Sequence, residues 1–454
     1  MDTLVGRPPG GPQVALFLAA GATTIALGLA DYRSAMASPA RGDLTEIFWP
    51  AAQAIARGQS PYVIPGYVYS PLWACLLVPL AGHRWGIGVG TALLIGCAIL
   101  SGWVCAWALT RTQPRWQTGL MAWAAGVTVL WNWPALIGVR ALRPEMLVLG
   151  VLVAAALTRG ARSGLLIGVA GVLKTWPAAF VVWLLPERSG RLRRLAGFAV
   201  AGLCAAAVAW LTGGVHDIEQ TVHVASSSSL QPYVAVSIPG AARLFFSANP
   251  LARPLIVSAP LSLATLVLGF AALACLAITV WRRPGDRFIA LFNMVFLVQL
   301  ALPVSHYSYF VLALPALWFW LARALREHDE LSMVASVTLA LWWILTARNR
   351  ELVYQSSATS LAAYSLVFVP TLVAAAVSVL AGARLHAHNE AGSPQGRFTA
   401  GHLVSRHGGA AKPARNSARH GIVGTDMGRG RAARKGAAHW LQLASHTDQE
   451  EGEQ

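Results

Sequence analysis

The sequence predicts an all-α fold, a polytopic bundle of membrane-crossing helices. Three observations predict it. Of the 454 residues, 56% are hydrophobic and only 12% are charged, against about 25% charged in a typical soluble domain. The apolar residues fall in long blocks without internal charge, repeated to about residue 383, as expected for helices that satisfy their own backbone in lipid. The blocks do not alternate residue by residue, which excludes the pattern of a transmembrane barrel.

Taken in order, about twelve segments are predicted: 14–30, 86–110, 117–136, 144–158, 163–174, 177–186, 195–212, 255–280, 288–303, 307–322, 331–346 and 361–383. The first follows Arg7. Ala35-Met36-Ala37 resembles a signal-peptidase site, but the run is longer than a signal core of about 7–15 residues, so an uncleaved span is expected. Segments 163–174 and 177–186 are short. A helix of about ten residues covers about 15 Å, half of a hydrocarbon core of about 30 Å, so the stretch 163–186 is expected to form a tight hairpin among longer helices.

The basic loops test this order. They are Arg111/Arg115, Arg159/Arg162, Arg188/Arg191/Arg193/Arg194, Arg282/Arg283/Arg287 and Arg323/Arg326. With the N-terminus inside, alternation along the twelve segments puts every one of them on the cytoplasmic side, as positive charge in short loops requires. Reading 163–186 as one span would move the 188–194 cluster to the other face. That outer face then collects 31–85, the turns at 137–143, 175–177 and 304–306, and the loops 213–254 and 347–360. Its segments are longer and chemically more mixed, so an outward-facing site is expected. Within 213–254, the polar stretch ASSSSLQPYVAVS fits either a mobile lid or a plain linker.

Two domains are expected: a membrane domain, 1–385, and a basic cytoplasmic tail, 386–454, rich in Gly, Ala, Arg and His with no apolar period and expected to be disordered. The stretch after residue 383, Arg384 included, holds ten Lys+Arg and six Asp+Glu, or +4, of a net charge of +16. The remaining +12 lies mainly in the short loops, which makes it a topology signal and not a nucleic-acid footprint. The five cysteines, in or beside apolar runs without a CxxC pair, read as small buried hydrophobes. The tail histidines His386, His388 and His402 have no metal-ligand spacing, and no metal site is predicted.

The outer face carries the chemistry. In RGDLTEIFWPAAQAIARGQSPY, residues 41–62, Asp43 and Glu46 fit a capping box that opens an interfacial helix over 44–57. They equally fit a general base at the membrane surface, since a partly shielded carboxylate can take a proton from a hydroxyl. Lys174, in GVLKTWPAAF, is the only lysine before residue 412. It reads either as a side chain reaching the interface or as a functional intramembrane cation aimed at a phosphate. His306, in LPVSHYSYF, reads as part of an aromatic belt with Tyr307 and Tyr309 or as a phosphate partner. Arg140, Arg143, Arg348 and Arg350 are also outer and break the positive-inside bias. They suit an anion, or ion pairs with Glu145 or Glu351. Trp49, Tyr62, Tyr67, Tyr69 and Tyr233 suit stacking on a sugar or an interface belt. A carboxylate among cations at headgroup depth suits attack by a hydroxyl on a carbon whose leaving group is a lipid phosphate, with the cations stabilising the developing charge. No metal or cofactor is needed for that role.

DLTEIFWPAAQAIARGQSPY followed by YSPLWACLLVPL, then LKTWP and PVSHY, resembles glycosyltransferase family 87. The order, spacing and number of spans agree over roughly residues 14–383. The resemblance implies a GT-C-like fold with an outer-surface catalytic loop. It also implies a mannosyltransferase of actinobacterial type on the outer face of the plasma membrane. Its donor would be polyprenyl-phosphate-mannose, and its acceptor a glycolipid of the phosphatidylinositol mannoside or lipomannan type. Transfer would invert a β-linked donor to an α-mannoside. The resemblance makes Asp43 the catalytic base and gives Lys174 and His306 to the donor phosphate. Glu46, Tyr62, Tyr69, Arg143 and Arg348 complete the candidate substrate-binding set. A GT-C arabinofuranosyltransferase, a lipid-linked-sugar flippase and a structural membrane subunit are the competing classes. The acids lie at segment ends and no matching halves are seen, which argues against transport.

Overall fold

The computed structural model describes residues 11–37, 43–186, 190–213, 236–248, 253–347 and 360–392. All regular elements among them are helical. In chain order they are α1 (Gly11–Met36), α2 (Trp49–Ala56), α3 (Pro71–Ala81), α4 (Gly86–Thr110), α5 (Arg115–Leu130), α6 (Trp133–Arg140), α7 (Glu145–Leu157) and α8 (Ala161–Leu173). There follow α9 (Arg191–Leu211), α10 (Ile238–Phe246), α11 (Ala259–Arg282), α12 (Arg287–Ala301), α13 (Leu314–Glu327), α14 (Glu330–Ala347) and α15 (Ser360–Gly392). A π-helical turn, Leu44–Phe48, leads into α2, and 3₁₀ segments occupy Trp176–Leu184 and Tyr307–Ala313.

Among the described residues, six helical stretches are long and apolar enough to cross a membrane: Gly86–Thr110, Arg191–Leu211, Ala259–Arg282, Tyr307–Glu327, Glu330–Ala347 and Tyr364–His388. Helices α5 and α6 make a seventh if read together, bent by 61°. Pro134 opens α6 at its first turn, where its missing N–H costs nothing but cannot continue the preceding helix. Other predicted segments are shorter helices: α7 and α8 have 13 residues each and α12 has 15. Helix α3 lies inside the predicted outer region 31–85, where no helix of its own was expected. Helix α15 continues through Gly392, past the expected domain boundary at 385. Residues from 393 onward, which include most of the predicted tail, fall outside the described residues.

The predicted hairpin at 163–186 is present, and its geometry has a simple cause. Helices α8 and α9 pack side by side in the same direction. A Cβ on Gly164 would stand 1.8 Å from the Arg194 carbonyl oxygen, one on Gly197 2.1 Å from that of Ala161, and one on Gly168 2.4 Å from Ala201 Cβ. Small residues four apart on both helices let the backbones touch, and dispersion replaces the hydrophobic drive that lipid does not supply. A parallel pair needs a return stroke between its members. Nine residues of 3₁₀ helix at about 2.0 Å each cover about 18 Å, close to the roughly 20 Å of a 13-residue α-helix. Nine α-helical residues would fall short. Leu184 therefore arrives back beside the start of α9, and its carbonyl accepts from Arg194 Nε at 3.2 Å.

The same packing gathers the basic turns at one end. Arg287 donates to the Thr158 carbonyl at 2.6 Å and to Ser163 Oγ at 2.7 Å. The Trp183 indole donates to the Arg287 carbonyl at 3.3 Å. The turns at 142–145, 174–176 and 304–308 lie at the opposite end, one helix length away, which is the clustering that the arginine distribution predicts. Helices α9 and α11 stand at the periphery: only 17% and 11% of their apolar windows are buried. This corrects the expectation that every cysteine is buried. Cys204 and Cys275 are exposed on these two helices, whereas Cys105 is buried.

Candidate functional site

Four charged residues form one hydrogen-bonded network at the end opposite the arginines. Asp43 stands just before the π-turn, whose Leu44 and Phe48 are fully buried. The capping-box expectation is not met: Asp43 has helical φ and ψ and makes no side-chain cap bond. Its Oδ2 instead accepts from Arg143, from Nε at 2.8 Å and from Nη2 as well. A guanidinium fork competes better for a carboxylate than a lone backbone N–H does. No hydrogen bond reaches Oδ1 among the described residues, and the Asp43 side chain is 31% exposed.

Arg143 is presented by a sharp turn. Arg143 N donates to the Gly138 carbonyl at 2.8 Å and Leu142 N to that of Val139 at 3.1 Å, the two bonds of a Schellman motif. The left-handed position usually given to glycine holds Leu142, at φ 46°. Its side chain is 1% exposed and abuts Gly90, so burial offsets a backbone strain of about 1–3 kcal/mol. Pro144 then ends the turn and Glu145 begins α7.

Glu145 and Lys174 are the buried half of the network. Lys174 Nζ lies 2.6 Å from Glu145 Oε1, with side chains 4% and 0% exposed. Glu145 is at the N-terminus of α7 and Lys174 is the C-cap of α8, so each charge meets the favourable end of a helix dipole. Ser308 joins the two pairs: Arg143 Nη1 donates to Ser308 Oγ at 3.5 Å, which donates to Glu145 Oε1 at 3.0 Å. Lys174 Nζ also stands 3.9 Å from the centre of the Tyr309 ring and 5.3 Å from that of Tyr69. Trp176 stacks on the Tyr309 ring at 5.4 Å. Two buried polar atoms here, Glu145 Oε2 and Trp176 Nε1, have no hydrogen-bond partner among the described residues. Each represents about 1–3 kcal/mol that a polar ligand could recover.

His306 caps the 3₁₀ segment, and its ring sits 5.2 Å from that of Tyr309. Burial, and then the Arg143 and Lys174 cations, hold its imidazole well below the usual histidine range, so it is neutral here. The Ser305 carbonyl accepts from Val236 N at 3.1 Å, and the Ser237 carbonyl from the Tyr364 hydroxyl at 3.0 Å. The middle of the predicted 213–254 loop is thus a buried anchor leading into α10, a helix inside the stretch expected to be a loop. Residues 214–235, including Tyr233, fall outside the described residues.

Of the predicted site residues, the fold brings Asp43, Tyr69, Arg143, Lys174 and His306 together. Tyr62 braces the loop behind them, donating its hydroxyl to the Tyr69 carbonyl at 3.0 Å. Glu46 is exposed and takes no part in the network. Arg348 lies outside the described residues. Arg140 turns away, donating to Ser34 Oγ at 2.5 Å and lying 5.0 Å from the Trp133 ring. Sequence reading did not place Glu145, Ser308, Tyr309 or Trp176 in the site. For Glu145 a signal existed: in Arg-Pro-Glu the proline begins a helix, which puts both charges at one helix end.

Comparison with known proteins bears on the family. Two fungal proteins named GPI mannosyltransferase 1 match parts of the chain. The one from Gibberella zeae is 26% identical over 155 residues, covering 32% of this chain and 35% of the relative. The one from Emericella nidulans is 28% identical over 201 residues, covering 41% and 43%. The chain therefore spans well under half the length of these curated relatives. The family model of glycosyltransferase family 87 matches residues 67–305, more than half of the chain, and takes in Tyr69, Arg143, Glu145 and Lys174; it ends one residue before His306 and begins 24 residues after Asp43. By that match, the chain belongs to glycosyltransferase family 87.

Proposed function

We propose that this protein is a multi-pass membrane mannosyltransferase that moves mannose from polyprenyl-phosphate-mannose to a glycolipid acceptor of the phosphatidylinositol mannoside or lipomannan type. The observation that carries the proposal is the network itself. A carboxylate with one free oxygen, Asp43 Oδ1, stands at the edge of a site whose interior holds Arg143, Lys174 and His306. Family membership and the names of the two fungal relatives support the reaction class.

In the proposed step, Asp43 Oδ1 takes the proton of the acceptor hydroxyl. The hydroxyl oxygen forms a bond to the anomeric carbon as the bond from that carbon to the phosphate oxygen breaks. The electron pair leaves on the phosphate. Arg143 holds the Asp43 carboxylate in one orientation, which is worth most when the reacting atoms must be aligned before reaction. Lys174 turns one N–H to Glu145 and keeps the others at the Tyr309 and Tyr69 ring faces. A donor phosphate would replace those ring contacts with a charge-assisted bond. An arriving anion would also favour protonation of His306. Preorganised cations aimed at a leaving group are commonly the largest catalytic contribution. The chain's own residues supply that charge in this proposal.

The short helices α7 and α8 support a lipid donor. At about 20 Å each they do not span a hydrocarbon core of about 30 Å, so a site at their ends lies below one membrane surface, where a lipid phosphate can reach it sideways. We place this end on the extracytoplasmic face of the plasma membrane, with both termini cytoplasmic, because positive charge in short loops is retained inside.

The test is transfer from radiolabelled polyprenyl-phosphate-mannose in membranes containing the wild type or Asp43→Asn. The wild type should transfer label to lipid, and the variant should express normally and lose transfer. Label moved across the bilayer without any new glycosidic bond would instead favour a flippase. Transfer from a lipid-phosphate arabinofuranose alone would reassign the donor.

A further inference from the structure

The end of the bundle away from the site holds a cavity of about 320 Å³ between the 3₁₀ segment Trp176–Leu184, the last turns of α11 and the first half of α12. That size lies at the lower end of ligand pockets, about 300–1,000 Å³. Trp183, Ala277, Val280, Ala290 and Met294 line its interior. Its rim carries large apolar side chains that face outward: Val182, Ile278 and Trp281 are 40%, 51% and 43% exposed. Helix α11 is among the least covered of the long helices, so the cavity opens sideways toward lipid.

Further arginines adjoin the cavity wall in the chain. Arg282 and Arg283 directly precede Pro284 and Gly285 of the cavity wall, and Arg191 and Arg193 precede the wall residue Arg194 on the first turn of α9. Arg193, Arg282 and Arg283 are exposed, and no ion pair joins them to an acid among the described residues. The neighbouring acid, Asp286, is engaged in capping α12, accepting from Phe288 N at 2.7 Å. Arg194 and Arg287 in the wall hold the fold together through the Leu184, Thr158 and Ser163 contacts.

We propose that this cavity is a binding site for an anionic phospholipid. One acyl chain enters between the 3₁₀ segment and α11, and the headgroup phosphate lies against Arg282, Arg283, Arg191 and Arg193. An apolar slot open to the bilayer selects the chain. Arginines without an acidic partner among the described residues select the charge, since basic side chains beside a membrane attract anionic headgroups. The bound lipid would brace the return stroke on which the Lys174 turn depends. The proposal stands apart from the sugar-transfer reading, since it concerns the other end of the molecule.

The experiment uses the full chain purified in a mild detergent and titrated with phosphatidylglycerol or phosphatidylcholine. The readouts are the midpoint of thermal unfolding and the number of lipids retained in native mass spectrometry. A ligand that binds only the folded state raises the midpoint with its concentration. The wild type should gain several degrees with phosphatidylglycerol, much less with phosphatidylcholine, and retain one phosphatidylglycerol. Ala277→Phe, which fills the slot, should remove the response. Met294→Trp serves as a second filling variant if the first does not fold. Arg282→Gln with Arg283→Gln should make the two lipids equivalent. Equal responses to both lipids in the wild type, or an undiminished phosphatidylglycerol response in a folded filled variant, would overturn the proposal.

Discussion

The Lys174 ammonium lies 2.6 Å from Glu145 Oε1 and is almost fully buried with it, although 28 residues separate them in the chain. Neither charge could be buried alone. Each needs the other, and the ends of α7 and α8 that present them, to offset the loss of water.

That dependence predicts a pattern of stability. Lys174→Met leaves the Glu145 carboxylate buried without its partner and should destabilise the protein by about 3–5 kcal/mol. Adding Glu145→Gln to the same chain should restore most of the loss. Thermal unfolding in detergent measures both. Sugar transfer should stay absent in the double variant, which separates the role of Lys174 in folding from its role toward the donor.

Arg143→Lys should act on rate more than on stability. A lysine cannot reproduce the two bonds to Asp43 Oδ2, because its ammonium is a point charge without a planar fork. The carboxylate then loses its orientation. Transfer should fall about 100-fold, the scale of a misplaced catalytic group, with the unfolding midpoint shifted far less than in Lys174→Met. Initial transfer rates at saturating donor test it.

Glu46→Gln should change little. The side chain is exposed and lies outside the network, so transfer should stay within about threefold of wild type and stability within about 0.5 kcal/mol. A large loss of transfer in this variant, measured beside Asp43→Asn, would move the base from Asp43 to Glu46.

Leu142→Gly sets two effects against each other. Glycine relieves the left-handed strain at φ 46°, a gain of about 1–3 kcal/mol. It also empties a buried leucine site, a loss of about 2–5 kcal/mol. The net should be destabilising, and transfer should fall as well, because the Arg143 turn loses the side chain that anchors it to Gly90.

Gly168→Leu should be the most damaging of the substitutions far from the site. A Cβ at Gly168 already meets Ala201 at 2.4 Å, so a leucine must push α9 away from α8. The parallel pair and its return stroke would separate, and the protein should be lost from the folded fraction in size-exclusion chromatography. Gly21→Leu, where a Cβ meets nothing within 4 Å, is the control and should elute as wild type does.

Much of this protein is local information. Hydropathy blocks determined the helical membrane fold. The arginine clusters determined which turns share an end, and through them the hairpin at 163–186. Asp43, Lys174 and Arg143 stood out because a charge beside an apolar run is conspicuous wherever the chain later goes. What the sequence left open concerns partners. It offered Asp43 as a helix cap, and the fold gives its carboxylate to Arg143, 100 residues away. It set Tyr309 in an interface belt, and the fold lays that ring beside the Lys174 ammonium. Ser308, the link between both ion pairs, carried no signal at all. Such contacts depend on the rotation and register of helices packed against one another. In α8 and α9 these are set by which glycines let two backbones meet, a property of pairs of distant segments that neither segment reveals alone.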